Sequence, residues 1–353
     1  MKKLFLSLIA IAIGTVSSFA QDDLVATLSH GSSLSTFMGA DALAQAYEAA
    51  ATGDVITLSP GVFNAVDIEK AITVRGAGMM AIESNGYVST QLEGGMTINV
   101  PSNTSTVLTI EGVQALGEVK LIGDNQAPVK VLKSRFENLV TGYGISMNAY
   151  SCIFATGLVA AIISDPEYQN TTLNCLNCVI VRAVSYGYGY DLYSDAIAKI
   201  VATNCLVNLD HTSVPYSVFT NCIITSEYGW YGNYPLPETC SAQNCLGINS
   251  VETTDLFVNI SNPSNIMVEG SGKDAFTPIF KTLELLKTNP AFTETYELTE
   301  TAAATYLGDD GTQVGIYGGV TPYNPTPTNP QIKKFTVNST TEGEQLKVRI
   351  NVE

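Results

Sequence analysis

The sequence predicts an all-β protein, a single-stranded parallel β-helix in which one chain winds through short strands that stack coil on coil. Two observations support this prediction. Short apolar segments alternate with tight turns between Val55 and Val74, and they are too short to form stable hairpins. Farther along, an Asn-Cys-aliphatic pattern recurs, as expected if equivalent positions of successive coils lie on top of one another.

The first 20 residues have the features of an export signal. Lys2 and Lys3 precede an apolar run too short for a stable membrane anchor, and Ser18-Phe19-Ala20 places small residues where a signal peptidase cleaves. We therefore expect residues 1–20 to be a signal peptide and the mature protein to be secreted, periplasmic or at the cell surface. No later apolar run has membrane-spanning length, so membrane insertion is not expected.

The chain is acidic and contains few charged residues. It has 33 Asp and Glu against 17 Lys and Arg, which gives a formal net charge of −16. An electrostatic field of this sign repels nucleic acid and anionic membranes, so neither is expected as a partner. The arginines are also few for a site that grips uronates or sulfates: Arg75, Arg135, Arg182 and Arg349.

The start of the predicted β-helix combines a helix with short strands. The segment from Asp41 to Ala51 is predicted to be a helix capped by Asp41. The following run 51–78 (ATGDVITLSPGVFNAVDIEKAITVRGAG) resembles the first coils of the pectin-lyase-like β-helix proteins, with their GD-x-I-x-L-x-x-G-x-[YF] unit. The resemblance implies a right-handed β-helix with an N-terminal capping α-helix. It implies little about activity, because that family includes polysaccharide lyases, glycoside hydrolases, adhesins and members without known catalysis.

The repeated Asn-Cys-aliphatic pattern predicts the environment of the cysteines. Its copies lie 17 to 27 residues apart, so the strands are constant and the loops vary. We interpret each cysteine as a small interior side chain and each asparagine as the preceding bend residue, bonded to the turns above and below. Stacked in this way, the cysteines should be reduced and buried, with neither disulfides nor a metal site. The copies are Asn177-Cys178-Val179, Asn204-Cys205-Leu206, Asn221-Cys222-Ile223, Asn244-Cys245-Leu246, the weaker Ser151-Cys152-Ile153 and, one coil earlier, Ser134-Arg135-Phe136.

The C-terminal part of the chain divides into three regions. The β-helix is predicted to extend over residues 21–321. Residues 322–331, which include PYNPTPTNP, are predicted to be a stiff Pro-rich linker. Residues 332–353 alternate in two halves, IKKFTV and QLKVRINV, and are predicted to form a C-terminal β-hairpin tail.

Two segments rich in tyrosine and glycine are the most informative features for function. They cover residues 185–195 (SYGYGYDLYSD) and 226–235 (SEYGWYGNYP), and stacked cysteines would place them on the same side of the helix. Aromatic faces stack on sugar rings, which makes a polysaccharide or glycan the expected partner; the alternative is that the tyrosines only pack on one another. The candidate ligand-binding residues are Tyr186, Tyr188, Tyr190, Tyr193, Tyr228, Trp230, Tyr231 and Tyr234.

The same region holds four weak catalytic candidates, Asp191, Asp195, Asp210 and His211. Paired carboxylates act as acid and base or bind calcium, so Ca²⁺ is the one cofactor the sequence leaves open. No catalytic motif of a lyase or glycosidase is found. The leading hypothesis is a protein that binds carbohydrate without cleaving it. The alternatives are a polysaccharide lyase or glycoside hydrolase, and a structural or adhesive surface protein.

Overall fold

The computed structural model describes residues 24–80, 89–100, 104–122, 127–141, 145–162, 171–187, 198–209, 216–226, 235–250, 254–284, 294–328, 332–337 and 348–352. The helices are α1 (Ala42–Ala49), α2 (Gly272–Phe276) and α3 (Glu300–Thr305). The strands are β1 (Val25–His30), β2 (Ser33–Met38), β3 (Val55–Leu58), β4 (Gly61–Asn64), β5 (Thr73–Arg75), β6 (Thr90–Glu93), β7 (Met96–Ile98), β8 (Leu108–Glu111), β9 (Val113–Leu121), β10 (Val129–Leu132), β11 (Arg135–Thr141), β12 (Ser146–Tyr150), β13 (Ile153–Ile162), β14 (Thr171–Leu176), β15 (Val179–Gly187), β16 (Ala198–Thr203), β17 (Leu206–Leu209), β18 (Val218–Thr220), β19 (Ile223–Ser226), β20 (Ser241–Gln243), β21 (Leu246–Asn249), β22 (Ile266–Met267), β23 (Ile332–Val337) and β24 (Val348–Val352).

The strands form two long sheets. Sheet A has the order β2-β1-β3-β5-β8-β10-β12-β14-β16-β18-β20, and sheet B has the order β22-β21-β19-β17-β15-β13-β11-β9-β6-β4, with β7 also pairing with β9. From β8 to β21, successive strands alternate between the two sheets, and within each sheet the strands of successive coils pair in parallel. This confirms the predicted all-β solenoid of parallel strands. Separately, β23 pairs antiparallel with β24.

The first edge of sheet A is closed by an antiparallel hairpin, which the sequence did not predict. Strand β1 pairs antiparallel with both β2 and β3, so β1 satisfies backbone groups of β3 that an open edge would expose. Helix α1 packs against β1 to β4 and buries Leu43 and Ala46. The predicted cap at Asp41 is wrong in its detail: the carboxylate makes no capping bond and accepts a hydrogen bond from the Asn64 amide at 2.7 Å.

The corner between sheets A and B has a left-handed backbone in coil after coil. The four repeat asparagines have φ between 50° and 55°, which confirms the prediction that they occupy the bend. Ser151 and Lys133 occupy the same place in earlier coils, with φ of 52° and 48°. The alignment of Ser134 with Ser151 was therefore wrong by one residue. Because Arg135 pairs with Ile153, Ser134 takes the position of a cysteine.

The residue after each bend belongs to a hydrogen-bonded column inside the solenoid. The Cys178 N–H donates to Cys205 Sγ at 3.4 Å, and Cys205 Sγ lies 3.3 Å from the carbonyl of Thr203. Ser134 repeats the arrangement with its hydroxyl, and Asn265 ends the column by accepting the Cys245 N–H at 3.0 Å. Each side chain thus satisfies a backbone N–H of the preceding coil, which would otherwise be buried without a partner.

All seven cysteines are free and buried. The most exposed of them is Cys240, at 8%. Burial raises the pKa of the Cys240 thiol to about 11. Burial likewise raises the pKa of the Cys205 and Cys245 thiols well above the ordinary range, so these thiols are protonated and unreactive in the folded protein.

We expect Cys205→Ala to lower the free energy of unfolding by about 1–3 kcal/mol, because the Cys178 N–H loses its acceptor. Cys205→Ser should recover most of that loss, since Ser134 already fills the equivalent place. Denaturant midpoints of the two variants measure the difference. A serine variant as unstable as the alanine variant would show that the column stabilises by packing alone.

A second apolar core lies outside the solenoid, on the outer face of sheet B. The aliphatic residue after each repeat cysteine points outward and is nonetheless almost fully buried. It is covered by a layer formed by α2, α3 and the segment that follows α3. The central members of this second core are Ile153, Val179, Leu206, Ile223, Leu246, Phe276, Phe280, Val314 and Ile316.

Residues 306–328, here called the strap, run back along the corner column. The Asn221 amide donates to Asp309 at 2.8 Å, and the Asn177 amide donates to the carbonyls of Ile316 and Gly318. These two amides therefore bond to the strap, and the prediction that they bond to adjacent turns was wrong. The strap approaches closely because it has glycine there: a Cβ on Gly308 or Gly319 would collide with an asparagine of the column.

The strap continues through the segment predicted to be a Pro-rich linker. Within residues 322–328, Asn324 N–H donates to Ser151 Oγ at 3.3 Å, and Thr328 N–H donates to Glu111 Oε1 at 2.9 Å. Lys133 Nζ donates to the Thr326 carbonyl at 2.6 Å. This part of the segment is thus packed against the solenoid along coils far earlier in the chain.

Candidate functional site at one edge of sheet B

The aromatic segments leave from β15 and β19 of sheet B, which are separated by one strand, β17. Strands β13, β15, β17 and β19 lie side by side and parallel, so their C-terminal ends lie on the same side of sheet B. We call this row of strand ends the aromatic edge. The first aromatic segment begins at the end of β15, and the second begins at the end of β19. Measured across the sheet, perpendicular to the strands, these two ends are two strand spacings apart, about 10 Å.

The strand ends lie at two levels. Ile162 of β13 pairs with Gly187 of β15, so these two strands end together. Leu209 of β17 pairs with Ser226 of β19, but it also pairs with Ala183, four residues before the end of β15. At a rise of about 3.3 Å per residue, β15 ends about 13 Å farther along the strand direction than β19. The two strand ends therefore lie diagonally across the edge.

Only one predicted site residue falls on a described strand. Tyr186 belongs to β15, where it pairs with Ala161 of β13. The other predicted ligand-binding residues lie outside the described residues: Tyr188, Tyr190, Tyr193, Tyr228, Trp230, Tyr231 and Tyr234. The four weak catalytic candidates also lie outside them: Asp191, Asp195, Asp210 and His211.

Polar side chains are buried at the strand ends from which these segments leave. Thr225 Oγ1 donates to Asn208 Oδ1 at 2.9 Å, which links β19 to β17. Ser226 pairs with Asn249 of β21, and both residues are 2% exposed. Within the described part of the chain, Ser226 Oγ and Asn249 Oδ1 have no hydrogen-bond partner.

A second polar cluster, which was not predicted from the sequence, crosses the outer face of sheet B. Arg135 Nε lies 3.0 Å from Glu137 Oε1, and the Gln114 amide donates to the same oxygen. Arg135 is only 4% exposed beneath the C-terminal layer, where burial raises the pKa of the nearby Tyr296 phenol. Since the guanidinium is enclosed and paired, its role is structural. The signal available in the sequence was a charged residue at a position that is aliphatic in later coils.

Other titratable groups of the described residues also have local structural roles. His30 Nδ1 lies 2.8 Å from Asp54 Oδ1, and the pKa of Asp54 is lowered, mainly because the Ala51 N–H donates to its carboxylate. The Asp310 carboxylate accepts two hydrogen bonds from Thr312, which lower its pKa. The Asp54 contacts link the first hairpin to the turn before β3, and the Asp310 contacts hold a turn of the strap.

Within the described ranges, no group of three or more His, Cys, Asp or Glu side chains is arranged to hold a metal ion. No helix in those same ranges is long and apolar enough to cross a membrane. The carboxylates considered for calcium, Asp191 and Asp195, lie beyond these ranges.

Comparison with known proteins gives no match, whether to a family model, to a curated protein or to a solved structure. The parallel solenoid therefore rests on this chain's own strand pairing. The resemblance of residues 51–78 to the pectin-lyase-like proteins stays a prediction.

Proposed function

We propose that this is an exported carbohydrate-binding protein that holds a glycan at the aromatic edge of sheet B without cleaving it. The observation that supports the proposal is that both segments leave from the same side of one sheet. The two tyrosine-rich segments, with Trp230 in the second, follow the C-terminal ends of β15 and β19, which are separated only by β17. Binding residues are commonly placed on long insertions of a solenoid, because the stacked coils hold their anchors fixed.

The proposal includes the finer features of the fold. We propose that the solenoid is a right-handed β-helix of the pectin-lyase type, with residues 1–20 as its signal peptide and α1 as its N-terminal cap. The burial of Leu43 and Ala46 against the first strands supports the capping role. Parallel strand connections are right-handed in nearly all proteins, which supports the handedness.

A glycan panel tests this function against its rivals. The purified protein is incubated with neutral and acidic polysaccharides, with and without Ca²⁺, and binding is measured together with new reducing and unsaturated ends. Binding without new ends supports the proposal. New reducing ends alone would indicate a glycoside hydrolase, and unsaturated ends a polysaccharide lyase. Absence of binding across the panel would favour a structural or adhesive protein.

We expect Trp230→Ala and Tyr188→Ala each to weaken glycan binding about tenfold, the loss typical of one aromatic anchor. Trp230→Phe and Tyr188→Phe should retain most of the affinity, because they keep an aromatic face for the sugar. Calorimetry of the four variants measures the effect. Trp230 is the chain's single tryptophan, so its fluorescence should also respond when the ligand binds.

Binding at this edge should depend only weakly on salt, since stacking on a neutral sugar face involves little net charge. The thermal midpoints of all four variants should match that of the wild type. Equal affinities for wild type and both alanine variants would assign the tyrosines to packing and contradict the proposal.

A further inference from the structure

A cleft of about 560 Å³ lies between the outer face of sheet A and the strap. It is separate from the aromatic edge, because it is formed by β10, β12 and β14 together with the start of the predicted linker. Its volume is within the range of small-molecule sites. The lining residues that matter here are Lys130, Lys133, Tyr150, Leu132, Leu176 and Pro322.

The charge of the cleft is opposite to that of the chain. Among the described residues, its lining contains two lysines and no carboxylate, although the formal net charge of the chain is −16. Lys133 Nζ is held by the Thr326 carbonyl at 2.6 Å. The carboxylate of Glu111 on neighbouring β8 is 1% exposed and engaged by Arg75 and Thr328, so it does not neutralise the lysines. A local positive site of this kind favours an anionic group.

The rest of the cleft is suited to a flat apolar group. Tyr150 pairs directly with Leu132 on one side and with Leu176 on the other, so an aromatic ring lies between two aliphatic side chains in one row. Pro322 of the strap faces this row across the cleft. Lys130 Nζ lies 5.7 Å from the centroid of the Tyr150 ring, and Tyr150 is 36% exposed. A ligand could therefore stack on Tyr150 while its charge meets Lys130.

We propose that this cleft binds a small aromatic carboxylate, with its ring on Tyr150 and its carboxylate at Lys130 and Lys133. The leucines, the proline and the Tyr150 ring favour an apolar ring. Ser151, Asn177 and Asn324 also line the cleft, but each already makes a hydrogen bond to the strap or within it, which leaves less hydrogen-bonding capacity for a polyhydroxylated sugar. The lysines select the ionised acid. This inference is independent of the proposed function, since none of the residues involved belongs to the aromatic segments of sheet B.

The test uses 4-hydroxycinnamate as the probe, with its methyl ester as the neutral analogue. We expect the acid to bind measurably in calorimetry, at least tenfold more tightly than the ester, and increasingly weakly as salt rises. Lys130→Gln and Tyr150→Leu should each reduce the affinity about tenfold. Lys133→Asn removes the second ammonium while keeping a residue that tolerates the left-handed backbone at this position.

Two controls make the outcome decisive. Lys120→Gln removes an exposed lysine of sheet B, paired with Glu118, and should leave binding unchanged. Trp230→Ala should also leave it unchanged, which separates this site from the aromatic edge. The proposal is overturned if the acid does not bind, if the ester binds equally well, or if Lys130→Gln has no effect. It is equally overturned if trigalacturonate binds through Lys130 while the aromatic acid does not.

Discussion

Replacing Asn221 by alanine should lower the free energy of unfolding by about 3 kcal/mol. The change removes two hydrogen bonds to the strap, from the amide to Asp309 Oδ1 at 2.8 Å and from the Asp309 N–H to Asn221 Oδ1 at 3.2 Å. Leaving such buried groups unpaired costs about 1–3 kcal/mol. Residue 221 also has φ of 55°, and placing a Cβ-bearing residue without a compensating side chain there costs about 1–2 kcal/mol.

Asn221→Gly separates the two contributions, because glycine accepts the left-handed backbone and lacks the amide. We expect it to lose only the hydrogen-bond part, roughly half of the alanine effect. A double-mutant cycle with Asp309→Ala then measures how strongly the corner and the strap are coupled. The measurement is the denaturant midpoint and slope of each variant. Additive effects of Asn221→Ala and Asp309→Ala would show that this contact does not hold the strap.

The repeat pattern was sufficient to predict the bend position of the asparagines and the burial of the cysteines, but not that each cysteine sulfur accepts an N–H of the preceding coil. Asparagine and cysteine are close in sequence, and the bend makes the same demand in every coil: a residue that tolerates positive φ, followed by a small side chain that accepts an N–H. The same local demand explains why Ser134 replaces cysteine without disturbing the column. Local chemistry that repeats can be predicted from sequence alone.

The strap could not be predicted, because its partners are remote in the chain. Asp309 meets Asn221, 88 residues earlier, and Thr328 meets Glu111, 217 residues earlier. The composition of residues 322–331 indicates an extended conformation and gives no sign of what the extended chain packs against. The sequence did contain one indication of the covering layer, which was missed. The residue after each repeat cysteine points out of the solenoid and is aliphatic, whereas a run of such positions facing solvent would be expected to include polar residues.

The two candidate sites also differ in how far they could be predicted from the sequence. The aromatic segments were apparent from composition, and the strand order places their starting points on one edge. Lys130 and Tyr150 are ordinary residues in sequence, on different coils. Only the pairing of Leu132 with Tyr150, which follows from the coil register, brings the lysine near the ring.

Ile316→Ala should destabilise the whole protein by about 3 kcal/mol, whereas Val320→Ala should change its stability by less than about 0.5 kcal/mol. Both residues belong to the strap, four positions apart, and differ in burial: Ile316 is 3% exposed in the second core, and Val320 is 97% exposed. Truncating a buried isoleucine costs about 2–5 kcal/mol, and surface substitutions cost little. Comparing the two variants therefore separates the effect of losing a buried side chain from any effect that all substitutions in the strap would share.

Ile224→Ala supplies the comparison from inside the solenoid, where Ile224 is fully buried. If the second core folds together with the solenoid, Ile316→Ala and Ile224→Ala should lower the midpoint of the same single transition, followed by circular dichroism of the strands. If the second core instead unfolded independently of the solenoid, Ile316→Ala would leave the main transition in place and create a separate transition at lower denaturant or temperature. We expect the shared transition, because the outward row Ile153, Val179, Leu206 and Ile223 would be exposed to water without the strap and its layer.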